Sequence, residues 1–234
     1  MEVKLFEKPR KGAIVIEGFP GFGLVSTITT EFLIEHLKAK QIGKIVTDKV
    51  SPMIAIHKGQ VVEPFGIFYC EKENIVIVRA ISPVKDLEWE LTECLISLYE
   101  DIKAKEFISI EGISSDGNTP DPKAFYFSGH KVRSNKFESL KVKKLEEGII
   151  MGVTASLLAK MPETTFIFAE AMADLPDSRA AAKVIEVLDQ YLDLDVDYKP
   201  LLKKAQSFEG KIKDILTKGM TASKDKIKKE SYFG

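Results

Sequence analysis

Apolar residues fall into two rhythms along this chain. Short continuous runs of aliphatic and β-branched residues predict buried strands, and segments with apolar positions three and four apart predict amphipathic helices. Strands are expected at residues 13–16 (Ala-Ile-Val-Ile), 44–47, 107–110 and 164–169. A first helix follows the loop Gly18-Phe-Pro-Gly-Phe-Gly23, with Leu24, Ile28, Phe32, Leu33 and Leu37 on its buried side. This strand–helix–strand opening reads as a crossover, which implies parallel strands. A second helix carries Leu87, Leu91, Cys94, Leu95, Leu98 and Ile102, with Asp86 as its N-cap and Glu88 and Glu90 in the first turn, where the dipole favours acids. A third runs over 151–160 and stops at Pro162; a fourth follows its cap Asp177 and buries Ala181, Val184, Leu188, Tyr191 and Leu192.

Between these elements the pattern changes. Residues 53–79 hold short runs split by turn formers and read as antiparallel hairpins attached to the sheet. Residues 111–122 are almost all turn formers and predict a loop; short strands are expected at 124–127 and 131–134. Alternating strands and helices argue an α/β sandwich with a mostly parallel sheet and antiparallel hairpin additions over residues 1–197. Residues 198–218 predict a C-terminal amphipathic helix, because Leu201, Ala205, Phe208, Ile212 and Ile215 recur at intervals of four and three. Its stripe, Leu201, Phe208, Ile212 and Ile215 above all, is expected to pack against the body or a neighbouring copy. Residues 219–234 read as a flexible basic tail.

Composition narrows the class. With 234 residues, 44% apolar and 29% charged, the chain has enough apolar content to offset ordering entropy. No apolar run nears the ~18 residues of a membrane span, and no signal-peptide core is visible. A cytoplasmic protein with no membrane partner is the expectation. The two cysteines form no Cys-x-x-Cys, and His36, His57 and His130 are scattered, so neither a disulfide framework nor a metal site is expected. Thirty lysines against four arginines, with seven Asn and Gln, resemble a thermophilic composition. Charge is uneven: residues 199–234 carry a net +6 on a chain of net −1. That basic end could attract nucleic acid, but its lysines alternate with acids and lack stacking aromatics, so a solvated face is favoured over a nucleic-acid partner.

Candidate chemistry is sparse. The 18–23 loop could cradle a phosphate on backbone amides. Its G-x-x-G-x-G spacing fits neither a dinucleotide fingerprint nor a Walker loop, and a tight turn with aromatic packing is favoured. Open parallel sheets bind ligands at the carboxyl ends of their strands; there Glu111, Ser114, Asp116, Glu170 and Asp174 could converge, or serve as turn and cap residues. No arginine lies in those loops to clamp phosphate. No cofactor is implied. The chain ends Tyr232-Phe233-Gly234 behind a polar leash, the form of a peptide that docks its terminal carboxylate and aromatics in a partner; a frayed end is the other reading.

One resemblance bears on these readings. Glu17-Gly-Phe-Pro-Gly-Phe-Gly-Leu-Val-Ser26 resembles the opening of the proteasome assembly chaperone family. Ser51-Pro52, Ile81-Ser82-Pro83, Glu111-Gly-Ile113 and Gly152-Val-Thr-Ala-Ser156 follow in the family's order, so the likeness covers residues 10–195. The chain is similar in particular to archaeal members. The resemblance implies a three-layer α/β/α sandwich like that of nucleoside phosphorylases. It also implies a homo-oligomer (a tetramer or pentamer) acting without ATP as a non-enzymatic chaperone or activator of the 20S proteasome. By the same resemblance Tyr232, Phe233 and Gly234 match the hydrophobic-Tyr-X end that activators insert between 20S α-subunits, with Phe in place of Tyr. Lys224, Lys226, Lys228 and Lys229 would add electrostatic steering. The rival expectation is a nucleoside phosphorylase- or hydrolase-like enzyme using the strand-end loops.

Overall fold

The computed structural model describes residues 1–50, 54–57, 59–82, 84–114, 121–172 and 175–203. Its centre is a nine-stranded sheet. The strands are β1 (Glu2–Leu5), β2 (Ile14–Gly18), β3 (Lys40–Val46), β6 (Phe65–Cys70), β7 (Ile75–Ala80), β8 (Glu106–Ser114), β9 (Ala124–Phe127), β10 (Lys143–Lys144) and β11 (Thr165–Ala171), in the order β1-β3-β6-β7-β2-β8-β11-β9-β10. The four central strands β7-β2-β8-β11 are parallel, and antiparallel pairs flank them on both sides. β4 (Ala55–His57) and β5 (Gln60–Val62) form a separate two-stranded sheet.

Helices cover both faces. On one lie α1 (Val25–His36) and α5 (Ser178–Leu192), with Phe137 of α3 (Lys131–Ser139), over the side chains of Ile14, Ile16, Ile108, Ile110 and Ile167. On the other lie α2 (Glu88–Asp101) and α4 (Gly152–Lys160), over Val15, Val76, Val78, Phe107 and Phe166. This is the three-layer α/β/α sandwich. Strand alternation divides each β-strand's side chains between the two cores, which is why the central strands are apolar at nearly every position. The stripe expected for α2 is buried, Cys94 included, and so is that of α5 apart from Leu192, which is partly buried. Asp177 caps α5, accepting from the amides of Arg179 and Ala180 at 3.1 Å each.

Several local expectations change. Asp86 does not cap α2; its φ of +66° takes it into the left-handed region, and Leu87 holds the cap position with no side-chain bond. Residues 131–134 begin α3 rather than a strand. One large apolar side chain, Phe137, anchors that helix between Tyr126 and Tyr191, with ring centroids at 4.7 and 4.2 Å. β3 runs in the same direction as β2 but does not pair with it, because the β6–β7 hairpin lies between them. The other hairpin, β4–β5, stands off the main sheet. A short α6 (Lys199–Lys203) places Leu201 in the α5-side core at 1% exposure. Phe208, Ile212, Ile215 and the whole of residues 219–234 lie outside the described residues.

Candidate functional site

β2 and β8 are parallel neighbours that share a pattern: Ile14-Val-Ile-Glu17-Gly18 and Ile108-Ser-Ile-Glu111-Gly112. Two-residue alternation puts Glu17 on the side of Val15, and Glu111 on the side of Ser109 and Phe107. That is the face covered by α4. The register sets Glu17 opposite Ser109, so Glu111 stands one pleat further along. Two hydroxyls in contact stand between the two acids, each donating to one of them. Ser109 Oγ donates to Glu17 Oε2 at 2.8 Å and lies 3.3 Å from Thr154 Oγ1 of α4, which donates to Glu111 Oε2 at 3.1 Å. Main-chain amides complete the arrangement: Phe19 N–H serves Glu17, while Phe22 N–H and Gly112 N–H serve Glu111, the last at 3.1 Å to Oε1.

Glu17 is 1% exposed, and burial raises its carboxyl to about 8 against the opposing pull of Ser109, with the nearby Glu111 charge adding to the rise. Burial likewise raises Glu111 to about 7, opposed by Thr154 and the two amides. At neutral pH Glu17 therefore holds its proton, and Glu111 sits near its midpoint. Among the described residues, no lysine or arginine pairs with either.

The glycines of the 18–23 loop exist for this packing. A Cβ on Gly21 would collide with Glu111 Oε1, one on Gly18 with the α1 backbone at Ser26, and one on Gly112 with the Phe22 carbonyl. Gly23 takes φ +60° inside a 3-10 turn, Phe22–Leu24. Phe19 packs edge-on against Phe65, centroids 6.4 Å apart. The tight-turn reading of the loop thus describes it. The amides of Phe19 and Phe22, which a phosphate would need, face carboxyls of the chain itself.

A cleft of about 870 Å³ opens where Glu111 reaches the surface. Its walls are residues 20–22, the end of β8 and residues 147–152. On its rim Ile149 and Met151 are 91% and 62% exposed. A second hollow, about 830 Å³, adjoins it and shares Ile113, Ser114, Leu145 and Glu147. Of the strand-end residues singled out in the sequence, Glu111 and Ser114 line the cleft. Glu170 lines the second hollow instead and accepts from the Lys123 amide at 3.1 Å. Asp116 and Asp174 lie outside the described residues, as do Tyr232, Phe233, Gly234 and Lys224, Lys226, Lys228 and Lys229. His36 stacks on Phe32 at the surface of α1. No cluster of metal-ligating side chains occurs among the described residues. Sequence reasoning missed Glu17 and Thr154. The available signal was the repeated Ile-x-Ile-Glu-Gly, a carboxyl following the apolar run in each of two neighbouring strands otherwise built for a core.

A profile of the PAC2 family matches residues 15–216. The chain belongs to that family. A relative in Methanocaldococcus jannaschii, the uncharacterized protein MJ0106, is 31% identical over 218 residues, spanning 90% of the PAC2 chain described here and 86% of its own length. Among solved structures, Pyrococcus furiosus PbaA, an archaeal homolog of proteasome-assembly chaperone, superposes with a TM-score of 0.85 at 30% identity over 94% of this chain and 99% of that one. P. furiosus PbaB, an archaeal proteasome activator, shares the fold with a TM-score of 0.75 at 24% identity, over 91% and 97% of the two chains.

Proposed function

We propose that this PAC2 chain is a non-enzymatic, ATP-independent chaperone or activator of the 20S proteasome, acting in the cytoplasm as a homo-oligomer. The observation that carries the reading is its likeness to PbaA over nearly the whole of both chains. The tail supplies the contact: Tyr232, Phe233 and the Gly234 carboxylate enter pockets between α-subunits, while Lys224, Lys226, Lys228 and Lys229 steer toward an acidic rim. Phe233 lacks the hydroxyl of the activator ending, a loss of about 0.5–1.5 kcal/mol per tail if that hydroxyl has a partner. Several tails on a tetramer or pentamer offset it through effective concentration, and residues 221–234 form a leash of about 20 Å. Residues 1–197 are the oligomer-forming body. The stripe through Phe208, Ile212 and Ile215 joins Leu201 in packing, so Phe208→Asp should lower thermal stability or the mass seen by light scattering.

The deciding experiment removes residues 232–234. Melting temperature and oligomer size should stay unchanged while binding to 20S particles, or stimulation of their peptidase activity, is lost. Adding one residue after Gly234 should act almost as strongly, since it displaces the carboxylate. Equal binding by all three proteins would move the contact surface onto the α/β body. The phosphorylase-like alternative requires an anion site, and the amides of Phe19 and Phe22 are already engaged by Glu17 and Glu111. Saturable phosphorolysis that disappears with Glu170→Ala or Asp174→Ala would overturn the non-enzymatic reading.

A further inference from the structure

We infer that the cleft at the ends of β2 and β8 binds the free amino terminus of an extended peptide with apolar first residues, the Glu111 carboxylate serving as counter-ion to its ammonium group. Size comes first. At about 870 Å³ the cleft is in the upper part of the range that encloses most of a bound ligand. Charge comes next. Its walls are largely apolar, with Phe22, Ile113 and Ile150 among them, and among the described residues its only charged lining groups are Glu111 and Glu147. An apolar occupant bearing a positive charge complements such a surface.

The carboxyl is built to take one more donor. A carboxylate offers about four acceptor positions. Gly112 N–H, Phe22 N–H and Thr154 Oγ1–H occupy three of those on Glu111. An ammonium group would take the fourth and bring the charge that the interior lacks.

The peptide backbone also has a place. β2 pairs with β8 only as far as Ser109, whereas β8 continues to Ser114 beside β11. Among the described residues, the end of β8 has no strand neighbour on the side away from β11, and Ile113 and Ser114 line the cleft. An extended segment can add to such an edge. Ile149 and Met151 stand over the opening between Gly148 and Gly152, the latter at φ +73°. They are placed to fold onto apolar side chains of the guest, methionine being especially adaptable.

This site belongs to the body and is independent of the proteasome-binding tail, so removing residues 232–234 should leave it intact. The test is calorimetric titration of the full chain with Leu-Ile-Ala amide and with its N-acetylated form. The free amine should bind saturably, and the acetylated form should bind roughly tenfold more weakly or worse. Glu111→Gln, which preserves the shape and two acceptor positions, should weaken the free amine by a similar factor. Ile149→Ser, at a position almost fully in water, should weaken it without affecting the fold.

Affinity should peak between about pH 7, where Glu111 gives up its proton, and about pH 8, where the peptide amine loses its own. The titratable groups facing Glu111 are Glu17 of β2, through Ser109 and Thr154, and Glu147 of the rim. Equal binding of the two peptides, retained binding by Glu111→Gln, or no binding at millimolar concentration would each overturn the inference. A fall in mass by light scattering for Ile149→Asp, with no peptide bound by the parent, would also overturn it and assign the cleft to a second copy of the chain.

Discussion

Two pairs of interior glutamates are handled in opposite ways. Glu31 of α1 receives the guanidinium of Arg79 from β7, which also lies 4.8 Å over the Phe68 ring. Glu106, at the start of β8, has Arg133 at 3.5 Å and accepts from Thr165 at 2.7 Å and Tyr191 at 2.8 Å. Burial first, and then the Glu106 charge, push the Tyr191 phenol well up. Further along the same strand, Glu111 has a hydroxyl and amides as its only partners among the described residues, and so does Glu17 beside it. A guanidinium does not give up its proton in a protein, so it brings a standing positive charge against its buried partner. Hydroxyls and amides stabilise a carboxylate without fixing its ionisation. Two of the four arginines are spent on the first pair; among the described residues, the second pair has no cationic partner.

The largest expected effect comes from turning the first kind into the second. Arg79→Met leaves the buried Glu31 without its cation and should cost about 3–5 kcal/mol, read from urea unfolding. A cost below about 1 kcal/mol would show that the guanidinium is dispensable and erase the contrast. Next is Glu17. Its folded value, about 8, lies above the ordinary 4.5, so its contribution to stability is complete below about pH 4.5 and is lost as pH rises through 8. The parent should therefore lose stability between about pH 5 and 9, on the order of a few kcal/mol, and Glu17→Gln should flatten that slope. Identical slopes in thermal melts across this range would mean that Glu17 ionises freely.

Gly21→Ala is a smaller perturbation. Its backbone suits alanine, but the new methyl group meets the Glu111 carboxyl, at a cost of about 1–3 kcal/mol. Combined with Glu111→Ala, much of that cost should vanish in a double-mutant cycle. Additive costs would place the collision elsewhere. The smallest expected effect is Ser109→Ala, about 1 kcal/mol. Because Ser109 donates to ionised Glu17, its loss should also move the midpoint of the pH-dependent melt upward, by an amount readable against the parent curve.

The alternation of strands and helices was legible because each central strand is covered on both faces and each helix on one. The Asp177 cap was legible for a local reason, an acid placed two and three residues before free amides. Asp86 has similar local chemistry, yet its backbone is set by the tertiary turn into α2. Residues 131–134 carry no helical stripe, since α3 is polar except for Val132 and Phe137. What makes it a helix is the slot for Phe137 between Tyr126 of β9 and Tyr191 of α5, which lie five elements apart in the chain. Glu17 was left out of its strand because a charge closes an apolar run. Its place in the site depends on the two-residue stagger between β2 and β8, which no local pattern contains.

The outermost strands have a consequence for self-association. β1, at one end of the sheet, exposes Glu2 and Lys4, and β10, at the other, is only Lys143 and Lys144, both exposed. Short, charged borders resist the edge-to-edge stacking that leads to fibrous aggregates. A nine-stranded sheet with unprotected borders would polymerise by continuing its own ladder. In this chain both borders disfavour that route, so contacts between copies are steered toward side-chain surfaces, which can close a ring of defined size.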